Sequence, residues 1–203
     1  MTLLFNNSEL AFQELSGNIG TSDFSFSGIV INPANISKKN KPYFIEGEIM
    51  ADKLHIDKLM GVTDQKSIRT ESSPMEIKDY TPAEWININV SMNIKNLYYK
   101  RFYGRNIVGK ITVKDQRITS EEFTLESIGG DVSGAINVYP ENNFLHCKIA
   151  GNLKNLYADS IFYIFENFDQ DFIEDKHLKG QITADIKSDL FLTTILTPIP
   201  LTL

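Results

Sequence analysis

The sequence predicts a mainly β protein, a long curved antiparallel meander forming a groove-like or open sheet, with one short helix at about residues 158–167. Between Ile86 and Lys95 apolar and polar residues alternate strictly, which is typical of a strand with one apolar face because successive side chains point to opposite sides. Polar or glycine-rich breaks at 114–117 and 129–131 separate further apolar runs, as in consecutive hairpins. One later stretch has apolar residues at helical spacing.

The first half of the chain carries two clear strand patterns. Residues 21–32 place alternate apolar residues and a glycine on one face, and residues 43–51 alternate charged with apolar residues. Residues 54–59 continue as a strand end or a single helical turn. The later predicted strands are 86–95, 106–113, 118–125, 132–138, 144–153 and 178–187, and the predicted helix is defined by Tyr157, Ile161, Ile164, Phe165 and Phe168.

The chain is expected to be one β-rich region over residues 1–203, and a piece of a longer protein. Two similar halves, about 1–60 and 83–189, are predicted to be joined by a polar loop at 61–82. The similarity lies in a Ser-Gly strand with a following proline, then a Phe-Ile or Phe-Leu strand, then a leucine-containing segment. Such a repeat predicts a sheet that is extended by stacking similar units.

The chemical inventory favours a non-enzymatic protein without a cofactor or metal. The net charge of −6 argues against nucleic acid as a partner. His146 and Cys147 are adjacent on a predicted strand, so their side chains face opposite ways and cannot form a nucleophile–base pair. We expect Cys147 to be buried and His146 to face solvent. The acidic residues between 169 and 175 lack the spacing of a calcium-binding EF-hand loop and predict a solvated loop.

Several segments, taken in order, resemble a known family. They are Asn-Leu-Tyr-Tyr at 96–99, Asn-Ile-Val-Gly-Lys-Ile-Thr-Val-Lys-Asp-Gln-Arg-Ile at 106–118, Ile-Gly-Gly-Asp-Val-Ser-Gly at 128–134, Leu-Tyr-Ala-Asp-Ser-Ile-Phe at 156–162 and Phe-Ile-Glu-Asp-Lys-His-Leu-Lys-Gly-Gln-Ile at 172–182. Over residues 42–189 this order is similar to the C-terminal region of AsmA-like proteins of Gram-negative envelopes. The polar loop at 61–82 and the lack of a membrane anchor in this chain depart from the full family pattern.

The resemblance implies a location and a function. It implies a periplasmic β region whose parent protein is anchored in the inner membrane through a segment outside this chain. It also implies a repeating β-groove that shields phospholipid acyl chains during lipid transport and supports outer-membrane biogenesis and lipid homeostasis. Other envelope proteins are the further partners to consider.

Alternation and resemblance together predict which residues would line the groove. The set is Ile86, Ile88, Val90, Met92, Ile94, Ile111, Val113, Phe123, Leu125, Ile136, Val138, Ile182, Ala184 and Ile186. In the alternative, these residues pack into a closed apolar core, and the chain is a non-enzymatic interaction or scaffold module of the cell envelope. The two hypotheses differ in whether the apolar face is an open trough or a closed core.

Overall fold

A computed structural model describes residues 3–6, 8–38, 40–59, 82–142 and 144–192. These residues form one eleven-stranded sheet that is not closed. The strands are β1 (Leu3–Phe5), β2 (Glu9–Ile19), β3 (Ser22–Ile31), β4 (Tyr43–Ala51), β5 (Leu54–His55), β6 (Ile86–Tyr99), β7 (Phe102–Lys114), β8 (Arg117–Ser127), β9 (Gly130–Glu141), β10 (Phe144–Tyr157) and β11 (Gln181–Leu192). The predicted mainly β, open-sheet class is confirmed.

Helical structure is confined to short segments. These are α1 (Ile56–Leu59), α2 (Ala158–Ile164) and 3₁₀ helices at Pro33–Asn35, Glu166–Asp169 and Asp175–His177. The predicted helix therefore begins where expected, but its α-helical part ends at Ile164 rather than near residue 167. Its second part is broken because Asn167 and Phe168 have left-handed backbone angles. None of the helices in the described ranges is long and apolar enough to cross a bilayer.

The strand order follows the sequence with one exception. Consecutive strands pair as antiparallel neighbours from β1 to β4 and from β6 to β11. β4 pairs in parallel with β6 along the whole of β4, from Tyr43 to Ala51. β5 pairs in parallel with the C-terminal part of β6. The sheet is thus mixed, because a single parallel seam joins two antiparallel meanders. The predicted loop at 61–82 lies outside the described residues except for Pro82.

Backbone irregularities bend this long sheet. Register shifts interrupt the β2–β3, β7–β8, β8–β9 and β10–β11 pairings. Bulges of this kind bend a strand and increase its twist. The glycine break predicted at 129–131 coincides with a tight turn between β8 and β9, where Ile128 and Gly129 both have positive φ.

The helices mark one end of the sheet. Because β4, β6, β8 and β10 all run in the same direction, α1 after β5 and α2 after β10 lie at the same end. We call this the helical end, and the opposite end the turn end. A small core of Ala51, Ile94 and Ile107 lies toward the helical end, where Leu54 and Leu97 pack against it. The hairpin-plus-helix arrangement of β3–β4–α1 recurs in β9–β10–α2, in keeping with the repeat-like pattern of the sequence.

Candidate functional site

The strand register places every predicted groove residue on one face of the sheet. Ile88 lies opposite Val113, which lies opposite Ile118; Ile118 in turn lies opposite Val138. Continuing outward, Ile136 pairs with Ile149 on β10, and Ile186 on β11 pairs with Gly151. We call this surface the apolar face. Its role in binding lipid stays a prediction.

The same face continues onto strands that the prediction did not include. On β2, β3 and β4 it carries Phe12, Phe26, Val30, Ile45 and Ile49, and the later strands add Ile107, Ile118, Leu145, Cys147, Ile149 and Leu153. The alternation in residues 21–32 and 43–51 already indicates which side of each strand is apolar. The pairing of β4 with β6 places those apolar sides on one common surface. The alternation of residues within a strand does not reveal this pairing.

Burial varies along the apolar face. Val90 and Ile94 at its centre are each 5% exposed, although the described residues contain one sheet and only short helices. Neighbouring side chains on the face therefore cover one another. Toward the outer strand, Ile182 and Ile186 are exposed. A central strip of the face is thus covered and an outer strip remains open to solvent.

The opposite face is polar and carries an open surface depression. This open depression of about 1130 Å³ is lined by residues such as Glu46, Glu48, Asn89 and Lys110. The side-chain oxygen of Asn89 is buried there without a hydrogen-bond partner. Because charged side chains of both signs and several amide side chains line it, the depression does not resemble an apolar channel. The apolar face, rather than this depression, is the candidate for acyl chains.

His146 lies on the polar face, but it does not face solvent. It is 6% exposed, and its ring lies between Tyr139 on β9 and Phe191 on β11, with ring centroids 4.9 and 4.4 Å away. The prediction that His146 faces solvent is therefore wrong. Side chains from the two neighbouring strands cover the ring. Because these side chains are distant from His146 in sequence, the pattern around His146 does not predict its burial.

Both imidazole nitrogens of His146 contact carboxylates. Nδ1 lies 2.5 Å from Glu141 Oε2, and Nε2 is hydrogen-bonded to Asp189 Oδ1. The hydrogen bond to Asp189 raises the pKa of His146 above its usual value; burial acts in the opposite direction and the hydrogen bond to Glu141 adds to the rise. The two carboxylates contact different nitrogens of the imidazole, so each ring nitrogen has its own carboxylate partner.

The neighbouring Cys147 is buried on the apolar face, as expected, and burial raises the pKa of its thiol. It faces away from His146, so the two side chains do not form a nucleophile–base pair. Among the described residues no group of three or more His, Cys, Asp or Glu side chains is arranged to hold a metal ion. A hairpin turn with Lys100 and Arg101 at its tip joins β6 to β7.

Comparison with known proteins gives no relative: no protein-family model, curated protein or solved structure matches the sequence.

Proposed function

We propose that this chain is a periplasmic β-groove segment that shields phospholipid acyl chains during lipid transport and outer-membrane homeostasis. In this proposal the parent protein is anchored in the inner membrane through a segment outside this chain. The observation that carries it is the continuous apolar face, which crosses the parallel seam and extends from β2 to β11. The resemblance of residues 42–189 to AsmA-like proteins supports the same function.

The energetics of a one-layer sheet support a ligand on this face. A sheet with one apolar face is stable only when that face is covered by another layer or by a partner. Within the described residues the α-helices that could form a covering layer are short: α1 has four residues and α2 has seven. An acyl chain would gain roughly 0.8 kcal/mol for each CH₂ group that it buries. Binding of this kind depends on apolar area and requires no specific polar group.

Photo-crosslinking with a defined phospholipid tests the proposal. The purified chain is incubated with phosphatidylethanolamine vesicles that contain a phospholipid with a diazirine in its acyl chain, irradiated, digested and mapped by mass spectrometry. Adducts are expected on residues of the apolar face. Ile88→Asp places a charge at the centre of that face and should abolish the adducts, whereas Ser91→Asp, on the polar face of the same strand, should retain them.

The design separates loss of binding from loss of folding. Ile186→Gln is a milder second variant because Ile186 is already exposed on the outer strand, and it should reduce adducts on β11 while the circular dichroism spectrum stays that of the wild type. Adducts spread equally over the two faces, or no adducts on the folded wild type, would refute the proposal.

One feature favours the alternative, a scaffold module with a closed apolar core whose exposed strand edge pairs with a neighbouring protein. In the described part of the chain β11 pairs only with β10, so its outer edge presents unpaired backbone groups over twelve residues. Such an edge can accept a strand from another chain. Hydrogen exchange of the purified protein tests this: protected outward-facing amides on β11 in a lipid-free oligomer would support the scaffold, and rapid exchange in a monomer would contradict it.

A further inference from the structure

The connection between α2 and β11 exposes a group of aromatic side chains at the helical end. Tyr163, Phe165, Phe168 and Phe172 form what we call the aromatic patch, and each is more than half exposed; Phe172 reaches 81%. Neither the predicted groove nor the polar face accounts for them. Large apolar side chains that are exposed together, rather than singly, mark surfaces that contact a partner or a membrane.

The patch is held together by its own packing. Phe165 and Phe168 stack with ring centroids 5.4 Å apart, and Phe162 meets Phe168 edge to face at 5.0 Å. Glu166, Asn167 and Phe168 all have positive φ, between 52° and 57°. Left-handed backbone is unfavourable for residues with a Cβ, and consecutive residues of this kind are typical of functional segments. The backbone thus adopts an unfavourable conformation while the rings stay exposed.

Charges around the patch are of both signs and include two ion pairs as well as the acidic residues Asp171 and Asp175. The Arg101 guanidinium lies 4.8 Å from the centroid of the Tyr163 ring, donates a hydrogen bond to the Tyr163 carbonyl oxygen at 3.0 Å, and lies 3.7 Å from the Glu166 carboxylate. Lys176 pairs with Glu174 at 2.5 Å. These pairs create no one-sided positive field of the kind that attracts anionic lipids or nucleic acid. Mixed charges between aromatic rings instead match a zwitterionic surface, with carboxylates for an ammonium group and basic residues for a phosphate.

The patch also lies where the open strip of the apolar face ends. The amide of Ala158, the first residue of α2, donates a hydrogen bond to the carbonyl of Gly180, which immediately precedes β11. Ile182 and Ile186, the exposed residues of the apolar face, follow directly on that strand. Apolar surface therefore leads along β11 to the helical end. This continuity favours a lipid surface over a protein partner.

We infer that the aromatic patch docks the helical end of the sheet on the interface of a zwitterionic phospholipid bilayer. The rings of Phe165, Phe168 and Phe172 enter the headgroup region, as aromatic side chains do at membrane interfaces. The apolar face then meets the bilayer end-on, where an acyl chain passes from membrane to protein. The inference deepens the proposed function, on which its choice of a lipid partner rests.

Vesicle flotation tests the inference with the whole chain. Phosphatidylcholine vesicles containing phosphatidylethanolamine are the probe, and vesicles of phosphatidylglycerol are the comparison. Phe165→Gln and Phe172→Gln should each weaken binding about tenfold, because each removes one inserted ring, and both together should abolish flotation. Two controls lie at the turn end: Ile36→Gln, which matches the patch in exposure at 54%, and Phe144→Gln, which matches it in ring type. Both should float as the wild type does.

A reporter locates the contact independently of these losses. In a Phe172→Trp variant, fluorescence should shift to the blue and be quenched by brominated lipids, whereas the native Trp85, which precedes β6 at the turn end, should remain unquenched in the wild type. Wild-type flotation that survives the double substitution would overturn the inference. So would equal loss in the turn-end controls, binding only to phosphatidylglycerol vesicles, or a dimer that depends on the patch without vesicle binding.

Failure of the docking and failure of the groove have different signatures. Suppose that the apolar face binds acyl chains but the aromatic patch does not dock on the bilayer. The variant with both Phe165→Gln and Phe172→Gln then gives the same photo-adducts on the apolar face as the wild type, and it floats with vesicles as the wild type does. If docking occurs without a groove, flotation depends on the patch and no adducts form on the apolar face.

Discussion

The pH dependence of His146 offers a direct test of the packing between β9, β10 and β11. A neutral imidazole has one N–H, so it can donate to Glu141 or to Asp189 but not to both. The observed arrangement requires the imidazolium, and both carboxylates are partners only while the ring is charged. Raising the pH removes one proton and leaves a ring nitrogen lone pair facing a carboxylate oxygen.

The direction in which folding stability changes with pH follows from the direction of the pKa shift of His146. The pKa of His146 is raised in the folded chain relative to the ordinary value of 6.5. The stabilisation is therefore complete below about pH 6.5, the unfolded value, and is lost as the pH rises through the folded value. The other charged groups near the ring are Lys148, whose ammonium lies 3.9 Å from Asp189, and Arg117, which lies over the Tyr139 ring at 4.1 Å.

The size of this pH-dependent change in stability follows from the loss of one charge-assisted hydrogen bond. Such a bond contributes about 1.5–3 kcal/mol when buried. The Glu141 and Asp189 side chains are 43% and 59% exposed, so water weakens their attraction to the ring. We expect a loss of about 1 kcal/mol in the free energy of unfolding between the two pH limits.

Urea unfolding across this pH range measures the effect. The wild type is compared with His146→Gln, which retains a polar side chain but does not titrate, so that contributions common to both proteins cancel in the difference. The stability difference between wild type and variant should shrink as the pH rises. A difference that is constant with pH, or that grows in favour of the wild type at high pH, would refute the assignment of an imidazolium held by both carboxylates.

Three further predictions concern stability and are measured by the same unfolding assay. Gly47→Ala should destabilise the fold by about 1–3 kcal/mol, because a Cβ there would lie 2.2 Å from the backbone oxygen of Ser27; an unchanged midpoint would contradict this close approach. Gln116→Gly should stabilise the protein by about 0.5 kcal/mol, because φ is 62° in this hairpin turn and glycine adopts that angle without strain; a loss of stability would count against it. Ile94→Ala should cost about 2–4 kcal/mol, whereas Val108→Ala on the polar face, half exposed, should change stability by less than about 0.5 kcal/mol; equal losses would mean that the apolar face is not the core.

Local pattern in the sequence was sufficient to predict the sides of individual strands. Ile88 and Asn89 lie on opposite faces as their alternation predicts, and Cys147 is buried. The direction of pairing was not accessible in this way, because alternation is the same for parallel and antiparallel neighbours. Thus β4 and β6 were expected within an antiparallel meander, and their parallel seam had no local signal.

Side-chain environments that depend on other strands were also beyond local pattern. His146 was predicted to face solvent because its own strand gives it a polar position, but Tyr139 and Phe191 supply the cover. The helical spacing of Phe165 and Phe168 contributed to the predicted helix, yet α2 ends at Ile164, before both residues, and both are exposed. The exposure of the aromatic patch, which runs from the end of α2 to Phe172, is revealed only by the tertiary structure.

The parallel seam has a consequence for folding. In the tight hairpins of the sheet a few residues join neighbouring strands, whereas Tyr43 pairs with Ile86 and Ala51 pairs with Ile94 across a much longer stretch of chain. The entropy of closing so long a loop is lost before any contact across it forms, and contacts distant in sequence slow folding. The two meanders should therefore assemble early and separately, and their joining along β4 and β6 should set the rate at which the complete sheet appears.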